Sequence, residues 1–399
     1  MADANTAIQG ASKGALGRQR SEAILGYLYI LPAFIIISIF GLFPIAYALY
    51  MSLYRWKIKQ TNFIGFANYQ RLLGNAWAGL AFILGLAIIL VAHWLWVDAF
   101  KDVGKKKLAK LSSSLVLIAA AFFIFFGWRG MYASGDKKFL SSMVRTLFYA
   151  FSTIPIQIGL SLAIAYMLFQ KIKGSEFYRM LFFLPYVTPA VAAAAVFRVL
   201  FSPRETSIAN QIIGLVGIHP QKWLFEKKPI IQLILGDHIN TFNAWLHNIG
   251  IGWQYDGLWQ GPSMALVVTT VFGIWTYTGY NIIIFLAGLG GISSNVYEAA
   301  DIDGASNVEK FWHLTVPLLS PVTFYLTILG FIGALQAFTH VYVMKQPSVG
   351  NAVDTASIYI FDTFYEKNNF SLAAAESIIL FLVILIITLI QNRLFGGEK

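Results

Sequence analysis

Long apolar stretches recur along the whole chain, and their length is the feature that most limits what it can fold into. Several of them reach or exceed the roughly 20 residues that a helix needs to cross about 30 Å of hydrocarbon. The composition agrees, because 57% of the 399 residues are hydrophobic and only 12% are charged, whereas an ordinary soluble domain has about a quarter charged residues. The sequence therefore predicts an all-α membrane protein, a polytopic helical bundle with about eight transmembrane helices.

The predicted spans are helices rather than barrel strands. Lipid offers no hydrogen-bond partner to an exposed backbone, so a spanning chain satisfies its amides within a helix or a closed barrel. The apolar stretches have helical length and no period-two alternation of polar and apolar residues. The predicted spans cover residues 24–51, 77–97, 112–132, 145–169, 180–201, 263–288, 319–343 and 372–394.

The positive charge is distributed as in a membrane protein. The net charge of +10 comes from Lys and Arg scattered among short loops, so nucleic acid is not a predicted partner. Two loops are strongly basic, with Lys101, Lys105, Lys106, Lys107 and Lys110 in the first and Lys171, Lys173 and Arg179 in the second. The positive-inside rule places both loops, and hence both termini, in the cytoplasm. Four cations would then break the rule by lying outside: Arg55, Lys57, Lys59 and Arg71.

The spans divide the chain into parts. We expect a cytoplasmic tail over 1–23, a first span with an outer loop over 24–73, an inserted pair of spans over 74–138, a core over 139–394 and a second tail over 395–399. The apolar run that begins at Ile24 is too long for a cleaved signal peptide. The core contains a long outer loop, 202–262, in which Trp223, Trp245, Trp253 and Trp259 favour a small folded cap at the membrane interface.

Catalytic motifs are missing from the sequence. It has no cysteine, which excludes a disulfide, a thiolate metal site and a cysteine nucleophile. It also has no phosphate-binding GxxxxGK[ST] loop, no HExxH and no GxSxG motif. We therefore expect a chain that is not an enzyme, and any ATP that drives it must bind to a separate subunit.

The second long hydrophilic loop, 289–318, is predicted to be cytoplasmic and carries the clearest local pattern. It contains NVYEAADIDGASNVEKFWHLTVPLLSP from residue 295 onwards. Asn295 with Glu298, and Ser306 with Glu309, have the spacing of two helix-capping boxes, and Gly304 can end the first helix in the left-handed conformation. The pattern predicts a helix–turn–helix hairpin that serves either as a docking element or as an ordinary capped connector.

This hairpin resembles the EAA loop of ABC-importer permeases. The resemblance rests on Glu298, Ala299, Ala300, Asp303, Gly304, Ala305, Phe311, Leu314, Pro317 and Leu318. In that family the loop is a coupling helix seated in a cleft of the ATP-hydrolysing subunit. The resemblance therefore implies ATPase coupling for Glu298, Ala299, Ala300, Asp303, Gly304, Ala305, Phe311 and Pro317.

Most of the chain is similar to sugar-importer permeases of the maltose-transporter type. The similar segments are Pro32 and Pro44, SLYRW at 52–56, FIGFANYQRLL at 63–73, the run 177–201 and SIANQIIGLVGI at 207–218. The chain departs from the six-span core of type I importer permeases by the extra spans of 74–138 and by an enlarged outer loop at about 230–260.

The resemblance implies a function and a set of partners. The chain would be the transmembrane permease of a binding-protein-dependent importer in the cell inner membrane, moving a sugar or oligosaccharide by ATP-driven alternating access. Glycerol phosphate or a polyol is the alternative substrate. The implied partners are a second permease, two copies of an ATPase subunit and an extracytoplasmic binding protein. No cofactor is implied for this chain, because ATP and Mg²⁺ would bind to the ATPase.

Candidate pathway residues lie in two predicted spans. Trp275, Tyr280 and Asn281 supply the aromatic faces and the amide that suit a sugar, although such rings can also simply pack helices. Glu376 is an ionisable group within the last span, which marks it as a candidate for the translocation path. Its place near the outer boundary favours the plainer interpretation that it snorkels or lies at a helix N-terminus.

Four histidines are not favoured as functional residues, and two alternative functions are not favoured for the chain. His93 lies beside Trp94 and Trp96, which is typical of an aromatic belt at the membrane interface. His219, His238 and His247 lack the spacing of metal ligands. An ion-coupled secondary transporter would need charged pairs inside the spans, which are nearly absent. A membrane enzyme or receptor scaffold would leave the hairpin of 289–318 unexplained.

Overall fold

The computed structural model describes residues 24–101, 106–170, 173–236, 238–248 and 261–395. Within these ranges the protein is almost entirely helical, and the described strands form a single two-stranded hairpin. The prediction of an all-α polytopic bundle is confirmed.

The elements follow one another in a simple order. Helix α1 is Ile24–Ser52, with a widened π-helical turn at Ser38–Leu42. Strands β1 (Tyr54–Trp56) and β2 (Gln60–Phe63) precede α2 (Ala67–Leu73), α3 (Ala76–Lys101), α4 (Lys106–Ser134), α5 (Lys137–Phe169), α6 (Ser175–Val187), α7 (Ala190–Leu200), α8 (Ile208–Gly214), α9 (Ile230–Leu235) and α10 (His238–Asn248). The second half comprises α11 (Met264–Gly290), α12 (Ser294–Ile302), α13 (Asn307–Leu318), α14 (Ser320–Leu335), α15 (Thr339–Met344), α16 (Ala356–Phe361) and α17 (Phe370–Phe395).

The described helices provide between five and eight membrane spans. The five single helices with sufficient length and apolarity are α1, the Ser113–Ser134 part of α4, α5, α11 and the Phe370–Arg393 part of α17. Three bent pairs of helices raise the number to eight if each pair is one span. The upper number equals the one predicted from the apolar stretches.

The span predicted over 180–201 is not a single helix but a broken one. The chain instead forms α6 and α7, whose axes differ by 96°. Thr188 and Pro189 between them have extended ψ angles of 132° and 124°. A residue that precedes proline is disfavoured in the helical region, so Pro189 breaks an apolar run that looks continuous in the sequence. The predicted span 319–343 is also broken, because α14 ends at Leu335 and α15 begins at Thr339.

The main core lies where α5, α11 and α14 pack together. Its buried side chains include Ile158, Ile282, Phe285 and Leu326. Gly279 lets α11 approach α6 closely, because a Cβ atom there would overlap the carbonyl oxygen of Phe182. This packing fixes α5, α6, α11 and α14 around a common space.

The bundle has two distinguishable ends. We call the end that carries α12 and α13 the hairpin end, and Tyr166 near the end of α5 reaches it by donating to the carbonyl of Asn307 (3.2 Å). At the opposite end, Trp56 of β1 donates its backbone N–H to Ser371 Oγ in the first turn of α17 (3.2 Å).

The inserted pair is a tight helical hairpin of α3 and α4. A Cβ atom on Gly127 would lie 2.5 Å from the backbone nitrogen of Phe82, and one on Gly85 would lie 2.9 Å from that of Ile124. The pair joins the core at the opposite end, where the backbone N–H of Asp136 donates to the Leu72 carbonyl (3.1 Å).

Candidate functional site

The first helix of the hairpin begins earlier than predicted. Helix α12 starts at Ser294 with Ser293 as its N-cap residue, and no side chain caps it. The predicted cap at Asn295 is therefore wrong, since Asn295 already lies inside the helix. Three consecutive residues, Ser293, Ser294 and Asn295, have side chains suited to capping, so local pattern does not fix the start of the helix.

The turn of the hairpin matches the prediction. Gly304 has a φ of +76°, the left-handed conformation that glycine adopts without steric cost. The backbone N–H of Ala305 donates to the Ala300 carbonyl (2.9 Å), and that of Gly304 donates to the Asp301 carbonyl (3.1 Å). Together these bonds form a Schellman motif that ends α12 and sets the direction of the chain.

The second helix opens with the predicted capping box. Glu309 N–H donates to Ser306 Oγ (3.3 Å), and Ser306 N–H donates to a Glu309 carboxylate oxygen (2.7 Å). This backbone N–H lowers the pKa of Glu309 below its ordinary value, because it stabilises the ionised form. The cap is therefore formed at neutral pH.

An aromatic contact adds to the hydrogen bond that joins the α12–α13 hairpin to the bundle. Phe311 lies 5.0 Å from the Tyr166 ring of α5, measured between centroids, whereas Trp312 is 60% exposed. The two neighbouring rings therefore differ in burial, although their centroids lie only 5.1 Å apart. Both rings belong to a π-helical turn over Lys310–Thr315, which precedes Pro317, whose missing N–H cannot continue the regular helical bonding.

The rest of the EAA-like residues form the outer surface of the hairpin. Glu298, Ala299, Asp303 and Gly304 are exposed, and Ala300 and Ala305 are half-buried. Ile302 beside them is 87% exposed. The structure thus brings carboxylates, small residues and an uncovered apolar side chain together on one projecting turn, a surface suited to a protein partner.

A cavity of about 380 Å³ lies among the spans. It is bounded by α5, α6, α11, α14 and α15. The side chains that could contact a ligand there are uncharged and mostly aromatic or amide-bearing: Tyr149, Thr153, Gln157, Tyr186, Tyr277, Tyr280, Asn281, Gln336, Phe338, Thr339 and His340. Asp, Glu, Lys and Arg are absent from the residues that line it.

The cavity combines clustered tyrosine rings with unsatisfied polar atoms. The Tyr186 ring lies 4.9 Å from that of Tyr280 and 6.0 Å from that of Tyr277, between centroids. Thr153 Oγ1, Gln157 Oε1 and Asn281 Nδ2 are buried without a hydrogen-bond partner in the described structure. Buried polar atoms are normally hydrogen-bonded, so these three groups are available to a polar ligand or to water.

Two of the four predicted pathway residues line this cavity. Tyr280 and Asn281 do so. Trp275 does not line it and packs on Phe197 at 5.1 Å between centroids. Asn281 follows Trp275 by six residues on the same helix, so the two side chains point in different directions.

Glu376 also lies away from the cavity. The prediction that it snorkels or lies at a helix N-terminus is wrong. Its side chain is completely buried and accepts a hydrogen bond from Thr363 Oγ1 (3.2 Å). It therefore neither snorkels to water nor caps the start of α17. The sequence could not reveal this, because the segment that covers Glu376 is the π-helical turn Asp362–Glu366 following α16.

Several cavity residues were not predicted from the sequence. Tyr149 and His340 are 191 residues apart, yet the Tyr149 hydroxyl and His340 Nε2 lie 2.8 Å apart in a hydrogen bond. Gln157 was also missed. The only available signal was the presence of an amide and an imidazole within apolar stretches.

The histidines proposed not to bind metal are placed as follows. His219 is exposed in the connection after α8, and His238 is exposed at the start of α10. The side chains of His93 and His247 lie outside the described residues, as do Trp253 and Trp259. In the part of the chain that the structure describes, no three His, Asp or Glu side chains are grouped so that they could hold a metal ion.

The chain belongs to the family of binding-protein-dependent transport system inner membrane components, whose sequence model matches residues 124–396. It is thus a multi-pass inner-membrane permease and a transport subunit. The matched region includes the residues that line the cavity and those of the α12–α13 hairpin.

Individual relatives agree with this assignment. The chain is 32% identical to the arabinooligosaccharides transport system permease protein AraP of Bacillus subtilis (strain 168), over 69% of this chain and 77% of AraP. It is 27% identical to the lactose transport system permease protein LacF of Rhizobium radiobacter, over 94% of each chain. A bacterial alginate ABC transporter in complex with an alginate pentasaccharide-bound periplasmic protein contains a chain of similar fold, with a TM-score of 0.52, 19% identity and coverage of 75% of this chain and 96% of that one.

Proposed function

We propose that this permease moves an uncharged sugar or oligosaccharide through the cavity bounded by α5, α6, α11, α14 and α15. The observation that carries the proposal is the lining itself, which offers tyrosine faces and buried amides without a charged side chain. Aromatic faces pack on sugar rings, and unsatisfied amides bind hydroxyl groups. The names of AraP and LacF, which refer to arabinooligosaccharides and lactose, support the same substrate class.

The same lining argues against glycerol phosphate as the substrate. Burying a phosphate without a cation or a paired donor is costly, and no Lys or Arg lines the cavity. A neutral polyol fits the chemistry as well as a sugar does. Competition of each compound with sugar uptake would separate them: a polyol that competes would widen the substrate class, and glycerol phosphate that competes as well as a sugar would contradict the proposal.

The proposed assembly has this chain beside a second permease, with two ATPase subunits in the cytoplasm and a binding protein outside. The hairpin end, residues 1–23 and residues 395–399 would face the cytoplasm, and ATP and Mg²⁺ would bind to the ATPase. Closing of the ATPase dimer would pull on α12 and α13. Rigid-body movement of the spans would then open the cavity alternately to each side.

Charge reversal on the hairpin tests the coupling role. Glu298→Lys, which changes an exposed side chain on α12, should abolish substrate uptake while the protein remains in the membrane. Gly304→Pro should do the same by breaking the turn. Glu205→Lys is the matched control, since Glu205 is exposed in the loop after α7. Normal uptake by both hairpin variants in vesicles would contradict the role.

Removal of one ring tests the pathway. Tyr280→Ala deletes a ring that lines the cavity and should lower sugar uptake by about tenfold or more, because one aromatic contact contributes about 1.5 kcal/mol. Trp275→Ala removes a ring from the same helix outside the cavity and should leave the apparent affinity for sugar unchanged. An equal loss in both variants would mean that the rings only pack helices.

A further inference from the structure

The tip of the β1–β2 hairpin concentrates positive charge at the end of the bundle opposite α12 and α13. Lys57, Ile58 and Lys59 connect the strands and are all exposed, and Arg55 beside them on β1 is exposed too. Among the described residues no ion pair involves these three cations. They are three of the four cations that break the positive-inside rule, and the transport function leaves them unexplained.

Hydrogen bonds fix the position of the β1–β2 hairpin on the bundle. The backbone N–H of Ile64 donates to the Leu53 carbonyl (2.9 Å). Asn68 Nδ2 donates to the carbonyl of Ser52, the last residue of α1 (2.9 Å). Together with the bond from Trp56 to α17, these contacts hold the tip a few residues beyond Ser52, where the span α1 ends. A segment so close to the end of a span is expected near the lipid headgroups.

Uncovered apolar side chains lie on the β1–β2 hairpin and just after it. Ile58 is 79% exposed at the very tip, and Phe63 and Phe66 are 65% and 70% exposed. Cations interleaved with apolar and aromatic side chains are typical of segments that lie in a membrane interface. The apolar groups enter the boundary of the acyl chains while the ammonium groups stay among the phosphates.

We propose that this hairpin tip binds anionic phospholipid headgroups in the outer leaflet. The Lys57 and Lys59 ammonium groups and the Arg55 guanidinium pair with lipid phosphates, and Ile58 inserts between them into the acyl boundary. Charge complementarity thus accounts for cations on a side where the positive-inside rule expects few. The inference rests on the proposed orientation of the chain and goes beyond its transport function.

The absence of cysteine allows a direct test in the complete importer reconstituted in vesicles. Ile58→Cys introduces a single thiol in this chain, which is labelled with an environment-sensitive dye. Quenchers attached to acyl chains are supplied on phosphatidylglycerol in one sample and on phosphatidylcholine in another. We expect the dye emission to be blue-shifted, and to be quenched more strongly by quencher-bearing phosphatidylglycerol than by quencher-bearing phosphatidylcholine.

Charge removal sets the size of the expected effect. Each lysine near an anionic surface contributes about 1 kcal/mol, or about fivefold, so Lys57→Gln/Lys59→Gln should reduce the phosphatidylglycerol preference by up to about 25-fold at low salt. Lys227→Gln/Lys228→Gln removes the same charge from exposed residues between α8 and α9 and should leave the preference intact.

Several results would overturn the inference. Equal quenching by both lipids would do so, as would a dye that responds only when the binding protein is added, which would make the tip a protein-docking surface. A response to excess inorganic phosphate without lipid would instead indicate a free-anion site. An impermeant thiol reagent separates the failures: reaction of the introduced thiol only from the cytoplasmic side refutes the proposed orientation, and reaction from outside without lipid preference refutes only the lipid site.

Discussion

At the scale of single residues, a few backbone conformations give the hairpin end its shape. Gly304 is the clearest case, because its φ of +76° places it where a side chain with a Cβ atom is strained. No atom lies within 4 Å of the position a Cβ would occupy there. The requirement for glycine is therefore conformational and not steric crowding.

Substitution at this position should separate conformation from size. Gly304→Val should cost about 1–2 kcal/mol, because a β-branched residue disfavours the left-handed region, and should lower uptake. Gly304→Asn should keep most of the activity, since asparagine tolerates that region. Uptake in vesicles, normalised to the amount of permease in the membrane, measures the difference. Equal uptake by the two variants would show that the conformation of this turn is unimportant.

Glu376 is expected to matter for stability. Glu376→Ala removes a fully buried side chain and leaves Thr363 Oγ1 without its acceptor, which should lower the free energy of unfolding by about 2–4 kcal/mol. Glu376→Gln retains the volume and an acceptor oxygen and should cost less. Thermal unfolding of the purified complex in detergent compares the two. A direct role in transport would appear instead as lost uptake with an unchanged melting temperature.

The sequence predicts local features of the candidate site better than distant ones. The turn at Gly304 and the capping box of Ser306 depend on neighbouring residues, so both could be predicted. Tyr280 and Asn281 were identified by residue type. The hydrogen bond between Tyr149 and His340 joins residues 191 apart, and no local pattern specifies such a contact.

At the scale of elements, close helix packing depends on glycine at defined places. The contact between α6 and α11 at Gly279 is the tightest, since a Cβ there would meet backbone that cannot move aside. The sequence predicted α11 well because it is one long unbroken apolar helix. It mispredicted the 96° bend between α6 and α7, because hydropathy counts apolar residues and does not register the backbone angles that Pro189 imposes.

Replacement of Gly279 should disrupt this packing. Gly279→Ala would push α6 away from α11, at a cost of about 1–3 kcal/mol or more, and should reduce the amount of folded permease. Gly290→Ala is the matched control, because it lies at the end of the same helix with open space around it. Protein level and monodispersity after extraction measure both. A folded Gly279→Ala variant with a normal melting temperature would show that the two helices can move apart freely.

At the scale of the whole molecule, the cavity and the hairpin are linked through α5 and α11. Helix α5 contributes Tyr149 and Gln157 to the cavity and contacts the hairpin through Tyr166. Helix α11 lines the cavity with Tyr280 and leads directly into α12. A pull on the hairpin therefore acts on two of the helices that surround the cavity, which is the mechanical requirement of the proposed alternating access.

Filling the cavity should separate transport from assembly. Gly333 lines the cavity, and no atom lies within 4 Å of the position of its absent Cβ, so Gly333→Leu adds bulk to the pathway without a backbone clash. Excess volume in a fitted site costs about 1–3 kcal/mol, and each 1.4 kcal/mol is about tenfold; uptake should fall by about tenfold or more. Basal ATPase activity of the assembled complex should stay unchanged.

Gly159→Leu provides the control, since it adds the same side chain to α5 in open space away from the cavity. If Gly333→Leu transports as well as the control, the substrate passes elsewhere, and the uncharged lining of this cavity then says nothing about what the permease carries.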